Sequence, residues 1–105
     1  MLNKIKKIAI IGSTGSIGTQ TLEVVNNNRN LFDVVLLSAN SNADLLFRQA
    51  KIFKPKYVVI NTESGYVFLK QNLSPSVTRV FLNSDSLCDI LFEGSIDLVV
   101  SAIVG

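Results

Sequence analysis

The segment Ile8–Gly18, IAIIGSTGSIG, runs four apolar residues straight into three glycines spaced three apart. Glycine weakens strands and helices alike, so three of them at one junction imply a requirement of the backbone. The apolar run Ile8–Ile11 predicts a buried strand, and a helix is predicted from about Ser16. Gly12 then serves the sharp turn out of the strand. Gly15 lets the main chain approach a pyrophosphate. Gly18 falls in the first helical turn, where a side chain would push the helix off the sheet. A glycine inside a helix costs about 1 kcal/mol against alanine, which close packing or a ligand must offset. A helix N-terminus offers free N–H groups and the positive end of the dipole, both suited to phosphate. Ser13, Thr14 and Ser16 are read as added hydroxyl donors. No Gly-Lys-Ser/Thr follows, so this is not a P-loop.

Further apolar blocks bounded by turn residues predict strands at Val34–Leu37, Tyr57–Ile60, Val80–Leu82 and Leu98–Val100. They lack the alternation of a one-sided sheet, so both faces are expected to be covered. Helical patterns fall between them. Ile17, Thr21, Val24 and Val25 predict the apolar face of the first helix, which ends in NNNRN. Ala43, Leu46, Phe47 and Ala50 predict the second, capped by Asn42 and ending before Pro55. Tyr66, Leu69 and Leu73 mark a third, and Leu87, Ile90 and Leu91 a fourth with Ser84 as its cap. Strand alternating with helix predicts a Rossmann-like, doubly wound α/β fold: a mainly parallel sheet with helices on both faces.

The remaining features bound the function. A chain of 105 residues that is 48% hydrophobic and 17% charged suits one globular domain. The net charge of +2 does not announce a nucleic-acid binder, and none is expected as a partner. There is no histidine, which removes Ser-His-Asp, Cys-His and histidine-metal chemistry from these residues. Cys88 is the only cysteine and is expected to be a small buried apolar residue. No apolar run is long enough for a membrane helix, no membrane partner is expected, and the expected location is the cytoplasm. The sequence ends at VVSAIVG, just after a predicted strand, which suggests a piece of a longer protein.

An NAD site usually places Asp or Glu at the end of the second strand, against the ribose 2′-hydroxyl. Here that point reads Ser38-Ala39-Asn40-Ser41-Asn42, with no carboxylate. A 2′-phosphate would meet amides, a hydroxyl and the next helix N-terminus, so NADP(H) is expected over NAD(H). Asp44 lies two residues into that helix and is read as a dipole-satisfying acid.

IAIIGSTGSIGTQTLEVV, LLSANSN, KPKYVVI and SAIVG together resemble the N-terminal NADPH-binding domain of the 1-deoxy-D-xylulose 5-phosphate reductoisomerase family, from about Lys7 to Gly105. The resemblance implies an enzyme of non-mevalonate isoprenoid biosynthesis. Such enzymes rearrange the sugar phosphate through an aldehyde and reduce it with NADPH to 2-C-methyl-D-erythritol 4-phosphate, using Mg²⁺, Mn²⁺ or Co²⁺. It places cofactor contacts on Thr14, Gly15, Ser16 and Ile17, on Asn40, Ser41 and Asn42, and on Ala102 and its SAIVG neighbours. Many members carry lysine or arginine where this chain has Ser41. The resemblance also implies a homodimer and a sugar-phosphate substrate. Residues 1–105 would form the NADPH-binding domain; catalytic and metal-binding residues, and the further domains, would lie outside them. Competing readings are an aspartate-semialdehyde or short-chain dehydrogenase, or a non-catalytic nucleotide-binding module. Tyr66 and Lys70 have the short-chain spacing, but they sit too early in the topology and read as core plus solvated lysine.

Overall fold

In a computed structural model of the chain, residues 4–93 and 95–102 are described. Strand β1 (Lys6–Ile11) leads to helix α1 (Ser16–Asn26), β2 (Phe32–Ala39), α2 (Ala43–Phe53), β3 (Tyr57–Ile60) and α3 (Glu63–Asn72). Then follow β4 (Arg79–Leu82), a 3₁₀ turn at Ser84–Ser86, α4 (Leu87–Glu93) and β5 (Leu98–Ser101). All strand pairs are parallel, in the order β4-β3-β2-β1-β5.

That order fixes where the helices go. The chain steps from β1 through β4 in one direction, and crossovers of one hand then put α1, α2 and α3 on the same face. It next jumps back across the sheet to β5, which reverses the direction and puts α4 on the opposite face. Two separate cores result. Leu22, Val25, Leu46, Ala50 and Leu69 pack on Ile8, Ile10, Leu37, Val58 and Ile60. On the other face Ile90 of α4 packs with Ala9, Ile11, Leu36, Tyr57 and Val59. With seven residues, α4 covers this second face thinly, and Val99 of β5 stays 47% exposed.

Strand β2 carries an irregularity. Ile8 faces Val34 but Ala9 faces Leu36, so Val35 stands opposite no residue of β1. Val35 and Leu36 both join the second core, while Val34, Leu37 and Ala39 join the first. The bulge therefore resets the alternation of the strand. Without it, Ser38 rather than Ala39 would face α2.

The predicted burial of α1 is corrected. Its buried residues are Gly18, Leu22 and Val25, whereas Ile17 and Val24 are exposed. The helix turns Gly18 inward because only a glycine fits: a Cβ there would lie 2.3 Å from the Gly12 carbonyl oxygen and 2.6 Å from the Ser13 Cα. Asn83, not Ser84, caps the turn into α4, its side chain accepting from the Asp85 N–H. Cys88 is exposed rather than buried, because the short α4 turns Ile90 to the sheet. Asn42 does cap α2, and Lys54 ends that helix in the left-handed conformation before Pro55.

Gly18→Ala forces backbone against backbone, so it should cost at least about 3 kcal/mol, the upper range for an overpacked core site. Thermal unfolding of the variant checks this.

Candidate nucleotide-binding site

The carboxyl ends of the parallel strands collect the loops after β1, β2, β3 and β5. The strand order reverses at β1, since β2 lies on one side of it and β5 on the other. Ligands of open α/β sheets bind in the crevice at such a reversal. Here one flank of the crevice is the glycine loop and α1; the other is the end of β5.

The loop after β1 turns sharply. Gly12 has φ 83°, a conformation most L-residues avoid. The N–H groups of Gly12 and Ser13 both donate to the Ser38 carbonyl, at 3.0 and 2.8 Å, and Gly12 N–H also reaches the Ser38 hydroxyl at 3.2 Å. Gly15 is the N-cap of α1, in extended backbone with φ −77° and ψ 174°. No side chain caps this helix, and no acidic residue lies in its first turn. The other two long helices are both capped, α2 by Asn42 and α3 by Thr62, and both carry an acid in the first turn. A Cβ built on Gly15 would meet only the Gly12 carbonyl oxygen, at 3.7 Å, so open space lies above it. The Gly15 N–H donates to the Gly12 carbonyl at 3.3 Å, but no side chain takes up the N–H groups that follow it, and a helix end of that kind below open space is a cradle for an anion.

Ser13 does not play the part read from the sequence. It is wholly buried, and its hydroxyl donates to Gln49 Oε1 at 2.8 Å while Gln49 Nε2 donates to the Ser13 carbonyl at 2.8 Å. A primary amide buried without partners costs on the order of 2 kcal/mol; here both of its polar atoms are matched. Gln49 was not legible as part of this site. Its position in the second turn of α2 reads as polar surface, and only the fold brings it beneath the loop.

Of the remaining expected contacts, Gly15, Ser16 and Ile17 are exposed at the start of α1, and Thr14 is half-buried. Asn40, Ser41 and Asn42 are exposed after β2. Ala102 is buried beside β1, its N–H donating to the Ile11 carbonyl at 2.7 Å. Ser101, at the end of β5, is exposed, and residues 103–105 of the SAIVG set lie outside the described residues. The structure thus distributes the set around one end of the sheet, in three groups on three loops.

At the ends of β1, β2 and β3, beside the start of α4, opens a cleft of about 410 Å³, lined by Gly12, Ser38, Asn40, Asn61, Ser84 and Leu87, among others. Asn61, absent from the sequence-based set, organises its rim. Its main-chain N–H and Nδ2 donate to the carbonyl and Oδ1 of Asn40, at 3.1 and 3.3 Å, and its Oδ1 accepts from the Ser84 N–H at 2.9 Å. A second cleft of similar volume lies at the opposite end of the sheet, against Lys7, Arg29, Asp33 and Phe53. Arg29 there stacks on Phe53 and donates to the Ile52 carbonyl, and among the described residues no helix starts at that end. The carboxyl-end cleft is therefore the candidate site.

No carboxylate stands at the end of β2 to repel a 2′-phosphate. The Tyr66–Lys70 pair lies on α3, with Tyr66 packed against the core and the Lys70 ammonium 5.5 Å from its ring, as expected for a structural pair. Among the described residues, no group of three or more His, Cys, Asp or Glu could hold a metal ion, and no helix is long and apolar enough to cross a membrane.

Residues 8–105 match the family model described as 1-deoxy-D-xylulose 5-phosphate reductoisomerase. This chain belongs to that family. Curated reductoisomerases agree: the protein of Porphyromonas gingivalis is 46% identical over 100 residues, covering 95% of this chain and 26% of the relative. That of Bacteroides fragilis is 47% identical over 106 residues, covering 99% of this chain and 27% of the relative. The chain thus spans about a quarter of the length of the curated reductoisomerases it matches. Among solved structures, the Zymomonas mobilis reductoisomerase in complex with NADPH superposes with a TM-score of 0.86 at 32% identity, over 97% of this chain and 27% of that one. A reductoisomerase complex with NADPH, fosmidomycin and magnesium gives 0.86 at 30% identity, over 96% of this chain and 25% of that one.

Asn61→Ala removes both side-chain bonds that lace the loops after β2 and β4. It should cost about 1–2 kcal/mol, at roughly 1 kcal/mol per bond, and hydrogen exchange at the Ser84 amide should quicken. Both effects are measurable in one exchange experiment across denaturant.

Proposed function

We propose that residues 1–105 are the NADPH-binding domain of a reductoisomerase that converts 1-deoxy-D-xylulose 5-phosphate to 2-C-methyl-D-erythritol 4-phosphate. The observation that carries the reading is the uncapped, acid-free N-terminus of α1 behind a glycine loop with open space over Gly15. Family membership and the NADPH complex of the Zymomonas mobilis relative support it. In this reading the N–H groups of Thr14, Ser16 and Ile17 hold the pyrophosphate, and Gly15, whose own N–H donates to the Gly12 carbonyl at 3.3 Å, gives it room to approach. Asn40, Ser41 and Asn42 receive the 2′-phosphate, and Ala102 lines the cleft beyond β1. Bound NADPH supplies the hydride; this chain's residues bind and orient it. A divalent metal, bound through residues outside this set, belongs to the same reading, and magnesium complexes of family members support it. A sugar-phosphate substrate and a homodimer belong to the same reading and rest on the family resemblance; the cytoplasmic location rests on the short apolar runs of the sequence.

Calorimetry on the intact protein tests the cofactor choice. NADPH should bind at least tenfold more tightly than NADH, and equal affinities would remove the role given to Asn40–Asn42. Gly15→Val should leave the unfolding temperature within a few degrees, because its Cβ meets no close neighbour. The same substitution should abolish NADPH binding, because the side chain fills the phosphate's place.

A further inference from the structure

Gln49 belongs to no part of the reading above, yet it makes two 2.8 Å bonds to a single residue of the glycine loop. It is 6% exposed, and no buried side-chain nitrogen or oxygen of the described residues lacks a partner. The two bonds are not equivalent. One fixes the Ser13 side chain; the other fixes its main-chain carbonyl, which is thereby aimed at α2. The Ser13–Thr14 peptide is trans, as are all the described peptide bonds. In a planar trans peptide the N–H points opposite to the C=O. A carbonyl drawn toward α2 therefore turns the Thr14 N–H away from α2. The Ser13 N–H is itself spent on the Ser38 carbonyl at 2.8 Å. Every polar group of Ser13 is thus used inward, and the first N–H of the loop left over for a ligand is that of Thr14.

We infer that Gln49 is a positioning residue for the cofactor pyrophosphate: by holding the Ser13 carbonyl, it aims the Thr14 N–H at the phosphate. The inference rests on the NADPH reading above and adds a residue that touches no part of the nucleotide. Gln49 also sits on the helix whose N-terminus follows Asn40–Asn42, so loss of the pair could in principle loosen either phosphate site. The peptide geometry assigns the effect to the pyrophosphate alone.

The test compares two ligands on the intact protein by calorimetry. NADPH carries the pyrophosphate; adenosine 2′-monophosphate carries the 2′-phosphate without it. Gln49→Met conserves volume and removes both bonds. It should weaken NADPH on the order of tenfold, about 1.4 kcal/mol, and adenosine 2′-monophosphate less than twofold. The KM for NADPH should rise in parallel with kcat unchanged. Gln49→Glu is the isosteric companion and decides the matter if the methionine variant does not fold. Its protonated carboxyl has both the donor and the acceptor of the amide, whereas the ionised form has no donor for the Ser13 carbonyl. Its NADPH affinity, relative to the unaltered protein, should therefore recover as pH is lowered. NADPH affinity within twofold in the methionine variant, or a glutamate variant whose relative affinity does not rise as pH is lowered, would overturn the inference, as would equal weakening of both ligands. If the unaltered protein itself failed to bind NADPH, the nucleotide reading would fall first, and this inference with it.

Discussion

The contact on which the rest depends is the approach of Gly18 to the Gly12 carbonyl, a place where a Cβ would lie 2.3 Å from oxygen. It brings the first turn of α1 down onto the end of β1. Once that turn is seated, Leu22 and Val25 fall on the sheet, and the N-terminus of α1 stands at the strand reversal. A helix held further out would bury less and point its free N–H groups elsewhere. Packing and ligand geometry are thus set by one close approach, and neither can be altered there without the other.

The loop above that contact divides its work between residues. Gly12 makes the turn, Ser13 anchors it, and Gly15 leaves the space. The anchoring is all inward, to Ser38 of β2 and Gln49 of α2. A loop tied to two neighbouring elements presents its free N–H groups in one arrangement before any nucleotide arrives, which reduces the ordering cost of binding. Asn61 does the equivalent for the far rim, joining the loops after β2 and β4.

Much of this architecture is readable from local signals. Tyr57–Ile60 is a strand to the residue, and Asn42 with Pro55 brackets α2, because capping and proline chemistry act over a few positions. The glycine spacing also pointed to the loop on which the proposed site is built. What escaped depends on partners distant in the chain. Gly18 is legible as a close contact with the sheet, but the pattern still puts the apolar Ile17 and Val24 on the buried face, since hydrophobicity alone does not say which side of the helix Gly18 turns inward. Ser13 looked like a ligand donor because its partner Gln49 lies 36 positions away and itself looks like surface. Cys88 looked buried by type, but a seven-residue helix has room for few inward positions.

The bulge at Val35 carries a different kind of constraint. The run Val34–Leu37 is uniformly apolar, so any of its side chains could change places at little cost in hydrophobicity. Their number is what matters. Five residues upstream of the Asn40 turn, the strand counts one extra position against β1, and that count decides which core receives each later side chain. Exchanging one apolar residue of this run for another leaves that count intact, whereas removing one would turn Ser38 instead of Ala39 towards α2. In this strand the tally of residues constrains the fold more than their spelling does.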